Sequence, residues 1–221
     1  MHTTKHPTPR KSRIFFHVHT SYTDGELTVG EYFDIAKKYH IRQIIFLEHI
    51  RHKPGYDVNL YIEEILHAEK IYGIQGVVGF EAKILPSGEL DIAPEHIKRA
   101  SYIGIAEHAF PNDAELLLHA FQNVIESYPS KYPNVRFVWV HPGLWFKKRF
   151  IYHHPILTEM YKAIVQADAL VERNFKYQLP SNKAIDIVDS SKIIEGIDAH
   201  TRMDIEKYIR TKYLNRTNIM E

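Results

Sequence analysis

The chain has 221 residues, 28 basic and 27 acidic side chains and a formal net charge of +1, with 44% hydrophobic and 25% charged residues. That composition excludes a disordered or fibrous chain and argues against a surface built mainly to hold nucleic acid. There is no cysteine, which excludes disulfides, thiolate metal sites and a cysteine nucleophile; histidine, at 15 residues, is abundant.

Residues 1–13 (MHTTKHPTPRKSR) are polar, basic and proline-containing and lack the apolar centre of a secretory signal. They read as a flexible, solvated basic arm, and residues 14–221 as one domain, since no linker or composition shift divides them. No apolar run approaches the ~20 residues of a membrane span, so the expected location is the cytoplasm. Strands are expected at Arg13–Val18, Arg42–Leu47, Gly76–Phe80, Tyr102–Ala106, Val135–Val140, Ala169–Arg173 and Ile193–Ile197, where β-branched and aromatic residues gather. Helices are expected between them: Thr28–Tyr39, opened by a Thr28/Glu31 capping box, then Asn59–Tyr72, Asp113–Ser127, Leu157–Gln166, Asn182–Ser190 and Met203–Leu214. The segment Lys83–Asp91 reads as a tight turn in an extended loop. Seven strand-helix units imply an α/β fold with parallel strands, and a barrel rather than an open sheet.

The first metal-capable residues after the strand cores are His19, His49, Glu81, His108, His141, Glu172 and His200, at steps of 30, 32, 27, 33, 31 and 28 residues. One strand-helix unit takes ~30 residues, so each falls at the same point of its unit, the C-terminal end of the strand where β/α barrels place active sites. Along the first expected strand and its end, His17 and His19 alternate and are expected to face one side; Asp24 follows in a turn. Glu48-His49, Glu81, His108, His141-Pro142-Gly143 and Asp198-x-His200 each end an apolar strand. Taken singly, each reads as a turn or a paired structural residue. Together they place six imidazoles and at least three carboxylates on one barrel face.

The ordered set HVHTSYTDG, EH, GFE, EH, HPG and GIDAH resembles the PHP (polymerase and histidinol phosphatase) family over about residues 14–202. The resemblance implies a distorted seven-stranded β/α barrel with two to three divalent metals, zinc, iron or manganese. By that likeness His17, His19, Glu81 and Asp198 would hold one metal; Glu81, His108 and His141 a second, with Glu81 bridging; and Asp24, His49 and His200 a third. Glu48 stands where the family more often has Asp, and Thr23 where Ser is frequent. Glu172-x-Asn174 corresponds to a motif that supports the site rather than ligating.

Nitrogen and oxygen ligands without sulfur suit those metals, and a carboxylate-bridged pair would activate water and bind a phosphoryl oxygen. The expected activity is therefore hydrolysis of a phosphomonoester by metal-activated hydroxide, with Glu81, Asp198, His200 and Arg202 as the candidate catalytic residues. Arg202 and Lys83 are placed by sequence to reach a phosphate, although an ordinary surface cation is favoured for Lys83. In LWFKKRF, Trp145 and Phe146 beside Lys147, Lys148 and Arg149 read either as a substrate clamp or as an apolar anchor under a basic loop. His153 and His154 lie near the expected mouth, whereas His40, His52, His67, His96 and His119 are expected to be solvated. The expected partner is a small phosphorylated substrate, with nucleic acid ranked below it and no membrane partner. The alternatives are a PHP-type nuclease, a barrel hydrolase of the amidohydrolase or TatD type, and a metal-stabilised binding module without activity.

Overall fold

The computed structural model describes residues 13–151, 155–180 and 185–214. Residues 1–12 of the expected arm, His153, His154 and the start of the expected helix Asn182–Ser190 lie outside the described residues.

Among the described residues nine strands are interspersed with helices: β1 (Ile14–Val18), α1 (Val29–Lys38), β2 (Gln43–Phe46), β3 (Glu48–Ile50), α2 (Val58–Tyr72), β4 (Gln75–Val77), β5 (Gly79–Lys83), α3 (Pro94–Ile97), β6 (Tyr102–Ala106), α4 (Ala114–Lys131), β7 (Arg136–Trp139), α5 (Leu144–Lys147), α6 (Pro155–Gln166), β8 (Leu170–Asn174), β9 (Ile193–Gly196) and α7 (Arg202–Ile209). All named strand pairs are parallel, in one sheet of order β1-β2-β4 and another of order β3-β5-β6-β7-β8-β9. The mixed α/β fold of parallel strands is as expected, but the second and third expected strands are each split, giving nine strands among the described residues rather than seven. The chain passes between sheets at Leu47 and at Val78. The crossing is tight: a β-carbon on Gly79 would lie 2.6 Å from the Phe46 carbonyl oxygen and 2.9 Å from that of Tyr102. Backbone bonds also tie the first strand to the segment after the last, from Ile197 N–H to Phe16 O (2.9 Å), Ala199 N–H to His17 O (3.1 Å) and His19 N–H to Ala199 O (2.9 Å).

Local chemistry sets the helix boundaries. Thr28 and Glu31 form the expected capping box of α1, Asp57 caps α2, and Gly73 ends α2 in the left-handed conformation at φ 64°. Thr201 caps α7 in a second box with Asp204. The expected turn in Lys83–Asp91 is present, with Gly88 at φ 79° and an antiparallel bridge between Ile84 and Leu90. The helices lay apolar faces on the sheets, while Phe16, Ile45, Leu47, Val77, Ala106, Val138 and Val140 form a separate apolar cluster drawn from the strands and their ends. Among the described residues no helix is long and apolar enough to cross a membrane.

Candidate metal centre

His17 and His19 come together, but not by simple alternation. The register of β1 against β2 shifts between Phe16 and Val18, and His17 takes a left-handed φ of 67°. His141 (φ 32°) and Asp198 (φ 57°) share that rarely populated region. Such strain persists where surroundings over-determine it, and it gathers at functional sites; here the bonds between His17, His19 and Ala199 fix the backbone on both sides.

Glu81, buried on β5, is the hub. Its Oε1 lies 2.6 Å from His108 Nε2 and 2.9 Å from His141 Nε2. Its Oε2 lies 3.0 Å from His17 Nε2, 3.2 Å from His19 Nε2 and 3.5 Å from His49 Nδ1. Asp198 Oδ1 is 3.6 Å from His17 Nε2, 3.4 Å from His19 Nε2 and 3.4 Å from His200 Nδ1. Asp24 Oδ2 is 3.5 Å from His49 Nε2 and 3.6 Å from His200 Nε2. All nine ligand-type residues singled out in the sequence thus converge.

Three groups have donor atoms within 4.8 Å of one another: His17, His19, Glu81 and Asp198; His49, Glu81 and His108; and His19, Asp24, His49 and His200. The first is the expected set. The second contains His49 where the resemblance places His141, and the third gains His19. The donors fit divalent metals. His19 is fully buried: its Nε2 lies 3.2 Å from Glu81 and 3.4 Å from Asp198, while its Nδ1 and the Nδ1 of His141 have no hydrogen-bond partner. An unmet buried donor or acceptor costs about 1–3 kcal/mol, and an ion taken by imidazole nitrogen removes that cost.

Buried carboxylates orient the ring of donors. Glu172 takes His17 Nδ1 at 2.7 Å through Oε1 and accepts the His141 backbone N–H at 2.5 Å and Asn174 Nδ2 at 3.0 Å through Oε2. It therefore supports the site, as the sequence reading expects, and leaves His17 Nε2 facing the cluster. Glu48 accepts the backbone N–H of Thr20 at 2.8 Å and the hydroxyls of Thr20 and Thr23, fixing the loop between His19 and Asp24. Sequence reasoning missed Glu107, which accepts from Trp139 Nε1 (2.8 Å), Gly143 N–H (3.1 Å) and Trp145 N–H (2.9 Å) and so holds the turn after His141. Its signal was the repeated Glu-His pair: Glu48 and Glu107 both grip a neighbouring loop while the following histidine joins the cluster.

The electrostatics follow from burial and pairing. Burial alone would raise Glu81, but His108, His141, His17 and His19 outweigh it and hold its pKa well below the carboxylate range. Asp198 is also lowered, with His17 the strongest influence against burial. Burial would lower His19, yet Asp198 and Glu81 overcome it and raise the pKa to about 9. His49 is lowered to about 4 by burial, and burial likewise lowers His200.

Asp24, His49, Glu81, His108, Asp198 and His200 open into a cleft of about 820 Å³ that is also lined by Tyr22, Arg51, Lys53, Tyr56, Lys83 and Tyr177. Lys83 does reach this cleft, while pairing with Asp91 at 3.5 Å. Arg202 does not reach it: its guanidinium pairs with Glu31 at 3.0 Å on the exposed surface, because Thr201 caps α7 and turns the chain away. Trp145 and Phe146 are buried, and Trp145 Nε1 donates to Phe110 O at 3.1 Å, so they anchor the loop rather than face the cleft. Arg149 stacks over Trp145 at 4.0 Å and Lys147 donates to Tyr177 O at 2.6 Å. Lys148 is exposed. His40, His52, His67 and His119 are exposed as expected, but His96 is half-buried beside Phe80. Sequence offered no sign of Lys176, whose Nζ lies 3.1 Å from His200 Nδ1.

The model of the PHP domain family matches residues 16–169. No curated protein sequence matches the chain. A histidinol phosphate phosphatase from Lactococcus lactis subsp. lactis, solved with zinc, L-histidinol and phosphate, superposes with a TM-score of 0.58 at 17% identity, over 90% of this chain and 92% of that one. A protein from Listeria monocytogenes assigned as a histidinol phosphatase gives 0.65 at 15% identity, over 90% of this chain and 100% of that one. A two-domain protein from Bacteroides vulgatus, containing a predicted PHP-like metal-dependent phosphoesterase, gives 0.55 at 17% identity, over 90% of this chain and 55% of that one. At these identities the likeness is one of fold.

Proposed function

Because the chain belongs to the PHP domain family, we propose that it is a metal-dependent phosphoesterase acting on a small phosphomonoester at a trinuclear site. The observation that carries this reading is the convergence on Glu81, where five imidazole nitrogens lie between 2.6 and 3.5 Å from its two oxygens. A carboxylate so surrounded has the donors around it to bridge two ions, and Asp198 and Asp24 extend the set to a third. Zinc, iron or manganese held by these residues would polarise the phosphoryl oxygens and acidify a water.

The protein's own part is to hold the donors in place and exclude competing chemistry. Glu172 fixes the ring of His17 and the backbone of His141; Glu48 fixes the loop that carries Asp24. The hydroxyls of Thr20 and Thr23 in that loop are both committed to Glu48. A cleft of about 820 Å³ suits a small molecule, such sites spanning roughly 300–1,000 Å³. A terminal phosphate offers three non-bridging oxygens to a three-ion face where a diester offers two. The L. lactis protein held histidinol and phosphate, a small alcohol and a free phosphate, which supports the same class of substrate here. In the basic run after His141, Arg149 stacks on Trp145 and Lys147 donates to Tyr177 O, which leaves Lys148 as its exposed cation.

The test is metal analysis of the purified protein followed by kcat/KM for p-nitrophenyl phosphate and its bis-ester, with a labelled oligonucleotide across a salt series. Bound metal and faster monoester cleavage are expected. Faster cleavage of the diester, or salt-sensitive degradation of the oligonucleotide, would replace this reading with a nuclease.

A further inference from the structure

The cleft has a basic wall that the candidate metal cluster does not use. His49 and Glu81 stand side by side in the parallel register of β3 and β5. Lys83, two residues further along β5, shares the face of Glu81 about 6–7 Å outwards, and Arg51 follows directly where β3 ends at Ile50. Arg51, Lys53 and Lys83 all line the cleft. The acidic residues lining it are Asp24, Glu81 and Asp198, all members of the candidate metal groups. Lys83 is partly neutralised by Asp91 at 3.5 Å, and the other oxygen of Asp91 accepts the backbone N–H of His52 at 2.9 Å. That bond ties the segment between the two other cations to the loop after β5. Arg51 and Lys53 themselves have no ion-pair partner among the described residues.

We propose that Arg51 and Lys53, backed by Lys83, form a subsite for a second anionic group, so that the substrate is a phosphoester bearing a further phosphate or carboxylate. An ammonium group in that position would face two unpaired cations and be disfavoured. The inference rests on the phosphoesterase reading for the ester phosphate, and it assigns the other end of the molecule.

The metal-loaded protein is to be assayed with propyl phosphate, 3-aminopropyl phosphate, 1,3-propanediol bisphosphate and 3-(phosphonooxy)propanoate. At least one of the two anionic-tailed substrates should exceed 3-aminopropyl phosphate about tenfold in kcat/KM, the scale set by two exposed cations acting on probes of opposite charge. The better of the two identifies the group as phosphate or carboxylate. In the R51E/K53E double variant the preference should invert towards the amine, a gain that misfolding cannot mimic. Calorimetric binding of propane-1,3-diphosphonate against propylphosphonate reads the subsite without turnover. If nothing is hydrolysed but the diphosphonate still binds more tightly through Arg51 and Lys53, the phosphoesterase reading fails and the subsite stands. If amine and anion are turned over alike, or the diphosphonate preference survives R51E/K53E, the subsite is overturned.

Discussion

Gly196 leaves the space that Glu172 occupies: a β-carbon there would lie 1.7 Å from Glu172 Oε1, the oxygen that holds His17 Nδ1 at 2.7 Å. The two residues face each other from β9 and β8, where Asn174 pairs with Gly196. Any side chain at 196 must push the carboxylate off His17. Gly196→Ala should therefore lower metal affinity about 10–100-fold, the usual effect of losing a carboxylate behind a ligating histidine. Glu172→Gln should do the same, since an amide places a donor towards a donor at either His17 or the His141 N–H. Metal titration of both variants checks this, and wild-type affinity in Gly196→Ala would break the link.

Glu81 and Asp24 should differ sharply on replacement. Glu81 is in two of the three donor groups and Asp24 in one, and Asp24 is largely exposed whereas Glu81 is buried. Glu81→Gln is expected to lose at least two ions per chain and Asp24→Ala no more than one. Elemental analysis of both proteins, purified side by side without chelator, decides the matter.

Glu107 is expected to act on stability first. Removing its carboxylate in Glu107→Leu leaves the donors of Trp139, Gly143 and Trp145 unpaired in the interior. Each unmet donor costs about 1–3 kcal/mol and the three will not add fully, so a loss of roughly 2–5 kcal/mol is expected. Denaturant unfolding of the metal-free protein measures it, and a loss under 1 kcal/mol would contradict the assignment.

Arg202→Ala should be close to silent. Its one side-chain partner, Glu31, is exposed, and such pairs contribute about 0–1 kcal/mol. Activity on a monoester within twofold of wild type is expected, and a tenfold loss in kcat at unchanged stability would return Arg202 to the site. Arg202 also shows where sequence reasoning stops. Its position two residues after His200 suggested reach into the cluster, but Thr201 caps a helix at that point, and the first helical side chain turns outwards. The candidate ligands, Asp24 apart, are by contrast legible because they lie in or just past the C-terminal parts of strands and successive units have similar lengths. The splits at Leu47 and Val78 were not, because IIFL and VVGF are unbroken apolar runs and the cause is a tertiary approach of Gly79 to Phe46. Lys176 follows β8 with no pattern of its own, and only the folded chain sets it beside His200.

Metal binding should strengthen with pH and then level off. His19, raised to about 9, carries a proton in the metal-free protein at neutral pH, and an ion takes the neutral ring. His141 and His17 are raised as well and act in the same direction. His49, lowered to about 4, is neutral throughout, and Glu81 and Asp198 are ionised, so these add no slope above pH 6. In the metal-free protein the raised pKa of His19 contributes stability that is fully present below its ordinary value of 6.5 and is lost as pH rises through about 9. Raising the pH across that window therefore weakens the metal-free fold while it removes the proton that competes with the ion. The difference in Tm between metal-loaded and chelator-treated protein should widen from pH 6.5 to 9 and change little beyond. Calorimetry in buffers of different ionisation enthalpy should show protons released on metal binding at pH 7 and fewer at pH 9.5. A Tm difference that narrows with rising pH, or binding without proton release at pH 7, would show that the buried imidazoles are already neutral before the metal arrives.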